Sequence, residues 1–420
     1  MTPFASRPVA LFLPCASGVE TWLAAEVQQL SGSAPETTRG GVWVQGDAHT
    51  AMLLNLESRL AQRVLWPLID APYRDEHDLY TMAGHVPWEQ WITPEQSLRV
   101  DMSAQRSPLK SLNFAALRIK DAVCDALRKT AGARPSVDTQ RPDLQLALFV
   151  GPEHATLYVD TSGQPLFKRG WREDKGEAPL KETLAAAMLA AAGWHGRSED
   201  GPLLDPCCGA GTIAIEAAQL ACGIAPGSQR RFAFERLQPF KPLAAAWRDL
   251  QRAAQARVHA PRVPLWASDV SFRMSDFARA NAQRAGVQQA IEFKTVDALQ
   301  RLAPAASGTL MMNPPYGERI AAGGTGVRSR EQFDGGGSSA DFFAGLASHW
   351  KHHYSGWTAW LLSPDMKLPT LMRLKESRRV PLWNGAIECR LVRCDMTAGA
   401  GPGGRKPPPL PPPPASAQDR

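Results

Sequence analysis

A chain of 420 residues with 44% hydrophobic and 21% charged content can bury two or three separate cores, which excludes a fibrous or disordered chain. No run approaches the roughly 20 apolar residues of a membrane span, and the early stretch PVALFLPCAS (8–17) is broken by Pro14, so neither a membrane span nor a secretion leader is predicted. The formal net charge of +6 is mild but unevenly placed: residues 229–262 and 366–393 are strongly basic, which suits either a polyanion such as nucleic acid or a plain solvated helix face.

In chain order, PVALFLP and GGVWVQG (40–46) read as strands, with helices over 18–30 and 50–65. SLRVDMS reads as a strand, 113–132 as a clean helix, and 144–150 and 154–162 as two more strands, completing a small α+β region. The pattern changes after the bridging segment 166–194. Strand, Gly-rich turn and helix follow in GPLLDPCCGAGTIAIEAAQLA, then strands at 263–270, 291–299 and in GTLMMNPPYGER, with helices between them. Strands alternating with helices predict right-handed βαβ units and a mostly parallel, doubly wound sheet. A helix over SADFFAGLASHWKHHY and a strand over WTAWLLSP come next. Residues 321–340 hold six glycines and read as a loop, and 397–420 read as a disordered Gly/Pro-rich tail. The predicted domains are therefore 1–162, 163–396 and the tail 397–420. The seven cysteines are odd in number, with no C-x-x-C pair and no histidine at zinc spacing, which predicts no metal site and a reducing, cytoplasmic setting.

Four strand ends carry the chemistry. In LLDPCCGAGT a strand ends at Asp205 and turns through Gly209 and Gly211 into a helix near Thr212. Glycines allow close backbone approach and the helix start is electropositive, yet a G-x-G turn alone fits a purely structural corner equally well. A dinucleotide site would want an acid about 20 residues on, whereas the next strand-end acid is Asp269, so an NAD-linked reading weakens. Asp269 and Asp297 end the second and third strands of this half. Each alone reads as a cap or turn residue. All three at one rim point to a ligand with an amino-acid end, a ribose and a base, with Asp269 on the ribose hydroxyls and Asp297 on an exocyclic amine. The fourth strand ends in Asn313-Pro314-Pro315-Tyr316. Residues before proline are held extended, so the Asn313 side-chain oxygen and the Pro314 carbonyl can stand at fixed separation against the two N–H bonds of a planar amine, with Tyr316 as a stacking face. In an arbitrary chain the same four residues fit a rigid turn with a packed tyrosine.

Taken together, LLDPCCGAGT, the two strand-end acids and NPPYGER resemble the class I S-adenosylmethionine-dependent methyltransferases that modify amino groups. More narrowly, FAALRIKDAVCDAL, LYVDTSGQPLFKRGWR and APLKETLAAAMLAAAGW resemble the THUMP module and junction of the RlmL type, which methylates guanine N2 in 23S rRNA. The resemblance covers roughly residues 10–395. It implies a Rossmann-like α/β methyltransferase domain behind an α+β ferredoxin-like and THUMP RNA-binding region. S-adenosyl-L-methionine is the implied cofactor, held by Asp205, Pro206, Gly209, Gly211, Asp269, Asp297 and Asn313, with no metal. Asn313, Pro314, Pro315 and Tyr316 are the implied catalytic residues. Lys110, Arg118, Lys120, Lys168, Arg169, Arg172, Arg230 and Arg231 are expected to face the RNA, which is 23S rRNA or a large-subunit precursor. Well-known members carry a second methyltransferase domain where this sequence has its proline-rich tail, so a second modification activity is not expected. Other amino-group substrates (tRNA guanine, adenine in nucleic acid, protein glutamine) and a non-catalytic ribosome-assembly factor are the rival readings.

Overall fold

A computed structural model describes residues 7–174, 180–314 and 339–397. Pro315, Tyr316, the glycines of the 321–340 loop and the tail beyond Thr397 lie outside the described residues.

The N-terminal region forms one eight-stranded sheet from two units. The first runs β1 (Val9–Pro14), α1 (Glu20–Ser31), β2 (Glu36–Thr38), β3 (Gly41–Gly46), α2 (Ala48–Glu57) and β4 (Leu65–Pro72). The second runs α3 (Glu76–Gly84), β5 (Ser97–Ala104), α4 (Leu112–Ala131), β6 (Ser136–Val137), β7 (Leu144–Val150) and β8 (His154–Asp160). The strand order β2-β3-β1-β4-β8-β7-β5-β6 joins the units along β4 and β8, which pair antiparallel from Leu65↔Asp160 to Pro72↔His154. Strand β4 tolerates its prolines because Pro67 falls at a register break and Pro72 is the terminal residue. Alternation decides which face is buried: Leu11 and Leu13 of β1 and Val42 and Val44 of β3 are in the core.

The helix predicted over 50–65 begins two residues earlier and ends eight residues sooner, as the 10-residue α2. α2 stops at Glu57 because Ser58 is extended (φ −71°, ψ 125°). The Glu26 carboxylate of α1 then takes over the freed donors, accepting from Ser58 Oγ at 2.6 Å and from the Arg59 and Leu60 N–H groups at 2.8 and 3.3 Å. A long-range carboxylate of this kind leaves no periodic trace in residues 58–65, which are neither polar nor Gly-rich enough to mark a break.

The second sheet has seven strands: β9 (Leu203–Asp205), β10 (Leu265–Asp269), β11 (Glu292–Thr295), β12 (Gly308–Met312), β13 (Trp357–Ser363), β14 (Glu376–Asn384) and β15 (Ile387–Asp395). The order is β11-β10-β9-β12-β13-β15-β14, parallel as far as β13, with β15 and β14 antiparallel. Helices α5 (Glu182–Ala192), α6 (Thr212–Ala221), α7 (Ala244–Ala256), α8 (Phe272–Arg284), α9 (Ser339–His353) and α10 (Leu368–Met372) connect the strands. Order reverses between β9 and its neighbours β10 and β12, which opens a crevice at their carboxyl ends. The basic 366–393 stretch contains most of the β14–β15 hairpin, which sequence periodicity left unassigned.

A buried ion cluster joins the two regions. Glu216 of α6 is fully buried and accepts from Arg169 Nε (3.0 Å) and Nη2 (3.2 Å), while Arg59 Nη1 lies 3.6 Å from its other side. Arg169 also donates to the Leu166 and Arg59 carbonyls, so the end of α2, the bridging segment and α6 meet on one guanidinium. The basic 229–262 stretch adds a second junction. Phe232 and Phe234 stack at 5.4 Å with Trp247 edge-on to both, and the Phe234 N–H donates to the Thr161 carbonyl. Arg257 pairs with Glu57 across the same seam.

Candidate active site

The crevice is lined by strand ends at staggered heights. Asp205 is opposite Ala267, so Asp269 stands two residues beyond it, and Asp269 is opposite Thr295, so Asp297 stands two further. On the other side Leu203 is opposite Thr309, which carries Asn313 past the level of Asp205. All four side chains therefore reach one rim, at the switch point.

The glycine turn closes over this rim. The Cys208 N–H donates to the Ser268 carbonyl and the Gly209 N–H to Asp269 Oδ2, each at 2.9 Å. Gly209 (φ 52°) and Gly211 (φ 87°) hold left-handed conformations that glycine adopts without steric cost. A Cβ on Gly209 would meet nothing within 4 Å, whereas one on Gly211 would press on Ala278 and Ile215 at 3.1 and 3.2 Å. The first glycine thus faces open space and the second allows α6 to pack on α8. Helix α6 begins at Gly211 with no side-chain cap on its first turn.

The acids have no cationic partner among the described residues. Asp205 is buried and accepts one N–H, from Cys207 at 3.3 Å. Burial pushes its carboxyl well up, a shift the nearby Asp269 charge increases. Burial also raises Asp269, although each of its oxygens accepts a backbone N–H at 2.9 Å, from Gly209 and Ser271. Each of those oxygens keeps a free lone pair, the donor pattern a ribose diol would complete. Asp297 binds the Leu299 N–H in its own turn at 2.9 Å. The Cys207 thiol is pushed well up, by burial first and then by all three carboxylates. That disfavours its thiolate, the form that attacks.

Asn313 closes the other side. Its Oδ1 is buried and has no hydrogen-bond partner among the described residues. Pro314 is buried directly after it. A buried carbonyl oxygen without a donor is rare and costs stability, and here it stands at the end of a strand in the ligand crevice. Uncompensated acids on one side and an orphan acceptor on the other fit a cationic sulfonium amino acid carrying a nucleoside, next to an amine.

Three of the eight cations expected to face RNA are committed elsewhere. Arg169 is 2% exposed and locked to Glu216. Arg172 has a side chain 10% exposed and is held by Glu182 and Thr212. Arg230 donates to the carbonyls of Ser162, Gln164, Pro165 and Lys168, and burial lowers its pKa to about 10. These arginines hold the bridge together. Lys110, Lys168 and Arg231 are exposed, and Arg118 and Lys120 half-exposed, Arg118 lying 4.3 Å over the Tyr80 ring. Sequence reasoning missed Asn281, fully buried on α8, whose Nδ2 braces the turn by donating to the Ala210 carbonyl at 3.0 Å. The signal was a polar residue in the apolar stripe of its helix. It also passed over Val270 and Phe272, which follow Asp269 and are 70% and 68% exposed.

A switch-point crevice of this kind, with a glycine turn, three strand-end acids and an asparagine before proline, defines a Rossmann-like methyltransferase domain. Residues 169–393 match the RMKL-like methyltransferase domain, 73–160 the THUMP domain and 10–65 the RlmL ferredoxin-like domain. The chain belongs to the RMKL-like methyltransferase family. A ribosomal RNA large subunit methyltransferase K/L of Psychromonas ingrahamii is 35% identical over 393 residues, which cover 91% of this chain and 50% of that protein. This chain thus spans about half the length of the large-subunit relatives it matches. A Synechocystis protein with a provisional RNA-methyltransferase name is 32% identical over 395 residues, 94% of this chain and 98% of that one. The crystal structure of SMU.472, described as a methyltransferase candidate complexed with SAH, shares the fold at TM-score 0.80 and 24% identity, covering 93% of this chain and 99% of that one.

Proposed function

We propose that this protein transfers a methyl group from S-adenosylmethionine to the exocyclic N2 amine of a guanosine in large-subunit (23S) ribosomal RNA. The observation that carries the reading is the buried Asn313 Oδ1 at the switch point, without a hydrogen-bond partner among the described residues. Membership of a family whose relatives carry large-subunit rRNA methyltransferase names supports the substrate.

The bound donor supplies an electrophilic methyl group on sulfur. Guanine's amine is a poor nucleophile because its lone pair is delocalised into the ring. Asn313 Oδ1 and the Pro314 carbonyl would accept one N–H each, which favours a pyramidal nitrogen and aims its lone pair. As the N–C bond forms, the donor's S–C bond breaks to leave a neutral thioether, and the methylated, cationic nitrogen then gives up one proton to water. Alignment of this kind supplies much of the rate without a strong base. Asp269 takes the ribose hydroxyls, Asp297 the exocyclic amine of the donor's base, and Asp205 with the turn of Pro206, Gly209 and Gly211 the amino-acid end. Tyr316, by its place in the motif, offers the extruded guanine a stacking face.

The test is transfer of labelled methyl to 23S rRNA lacking the modification, with nucleoside analysis of the product. N2-methylguanosine is expected. A methylated adenine, or methyl on protein alone, would replace this reading by another amino-group substrate. The N-terminal region captures RNA through phosphate contacts, with Lys110, Arg118 and Lys120 contributing charge and Lys168 of the bridging segment and Arg231 extending the surface. RNA affinity should therefore fall at least ~10-fold between roughly 50 and 200 mM salt. A flat salt profile in a filter-binding titration would remove the basic surface from the account.

A further inference from the structure

The N-terminal sheet ends on an edge that is largely open. Strand β6 covers β5 only at Ser97 and Leu98, whereas β7 covers it from Leu98 to Ala104. The Ser97 carbonyl and the Gln105 N–H bond toward β7, and the Leu98 carbonyl accepts from the Asp138 N–H on the β6 side. Backbone direction alternates along a strand, so Val100, Met102 and Ala104 turn their N–H and C=O groups to the uncovered side. Among the described residues these groups have no hydrogen-bond partner. A groove of about 310 Å³ opens beside the start of this edge, between β5 and α4. Val100, Ala116, Leu117 and Val137 form its apolar wall, and Leu117 and Val137 are 50% and 53% exposed. Arg99 and Asp101 cancel within it at 2.6 Å, and Lys120 at the rim is shared with Asp121 at 2.8 Å.

Donors and acceptors that repeat every two residues, roughly 6.6 Å apart, are a template for one more strand. Phosphates only accept, so a nucleic-acid backbone leaves the Val100 and Met102 carbonyls unsatisfied. An extended polypeptide supplies both kinds of group in register, and its alternate side chains enter the groove between edge and helix. The balanced charges of the lining match a segment that carries no net charge. We propose that the β5 edge and the α4 wall dock an extended segment of a partner protein, added as a strand of about four or five residues with apolar side chains at alternate positions. The chain's own proline run at 407–414 does not fit, because it carries an N–H only at Leu410. The groove lies in the N-terminal region, and its occupation needs no methyl donor.

The experiment is selection of a phage-displayed random nonapeptide library on the immobilised full chain, followed by anisotropy titration of the most enriched peptide. Enriched sequences are expected to carry Val, Ile or Leu at alternate positions. Met102→Pro removes an edge N–H that bonds nothing in the described protein, so the strand should tolerate it while the peptide binds at least ~10-fold more weakly. Leu117→Glu puts a charge on the groove wall from an exposed helix position. It should weaken binding as much, and it serves if the proline variant does not fold. N-methylation of alternate peptide nitrogens should abolish binding in one register and spare it in the other, the signature of a strand with one bonded edge. No enrichment over the Leu117→Glu chain overturns the proposal, as does a selected peptide that binds both variants at full strength. Displacement of the peptide by an equal concentration of single-stranded RNA would give the groove to RNA. A wild-type dimer that Met102→Pro dissociates in sedimentation would give it to a second copy of the chain. Either result overturns the proposal too.

Discussion

Asn313→Ala should lower methyl transfer by on the order of 10²–10³ while leaving binding of the methyl donor nearly unchanged. The size follows from the role: one of two acceptors that fix the amine is removed, and the reaction has no strong base to fall back on. The same variant should melt no lower than wild type. Its lost oxygen is buried and has no partner among the described residues, so removing it relieves a desolvation cost of about 1–3 kcal/mol that offsets the lost packing. Activity and stability are thus expected to move independently. Single-turnover transfer and a thermal melt on one preparation check both halves. Near-normal turnover would show that the amine is held elsewhere, and a large drop in melting temperature would show that Asn313 is part of the scaffold.

Glu216→Gln should destabilise the chain by about 3–5 kcal/mol. The carboxylate is fully buried and serves two arginines, so its loss leaves Arg169 charged and desolvated without its ion-pair partner and Arg59 with only the more distant charges of Glu26 and Glu57. Arg231→Gln is the control: its side chain is 94% exposed and its pairing with Glu235 crosses solvent, so the denaturation midpoint should not move. Urea melts of the three proteins make the comparison. An unchanged Glu216→Gln midpoint would mean that the junction is held by its aromatic packing alone.

Periodicity and turn chemistry made the second sheet legible. Asp205 and Asp269 close short apolar runs and Asp297 follows two residues after the mixed run Glu292–Thr295, and the register puts all three at one crevice. Gly211 marked the start of α6 for the same local reason. What escaped was set by distant partners. Glu26 ends α2 from another helix, and Glu216 draws Arg169 inward from a segment that reads as basic and therefore exposed. A charge in a sequence declares its sign but not its partner, so Arg169, Arg172 and Arg230 looked like RNA ligands. Strand β14, nine residues long, opens on the polar run Glu376-Ser377-Arg378-Arg379 and carries Pro381 inside it, so it shows no alternation to read.

The seam between β4 and β8 also sets an order of events. β4 touches β1 at a single register pair, Phe12↔Leu65, and finds its full partner only in β8. As the chain emerges during synthesis, the first unit holds an open strand edge until residues 154–160 follow. Its folding is therefore gated by translation of the second unit. A pause between the two would leave that edge free to pair with another nascent chain.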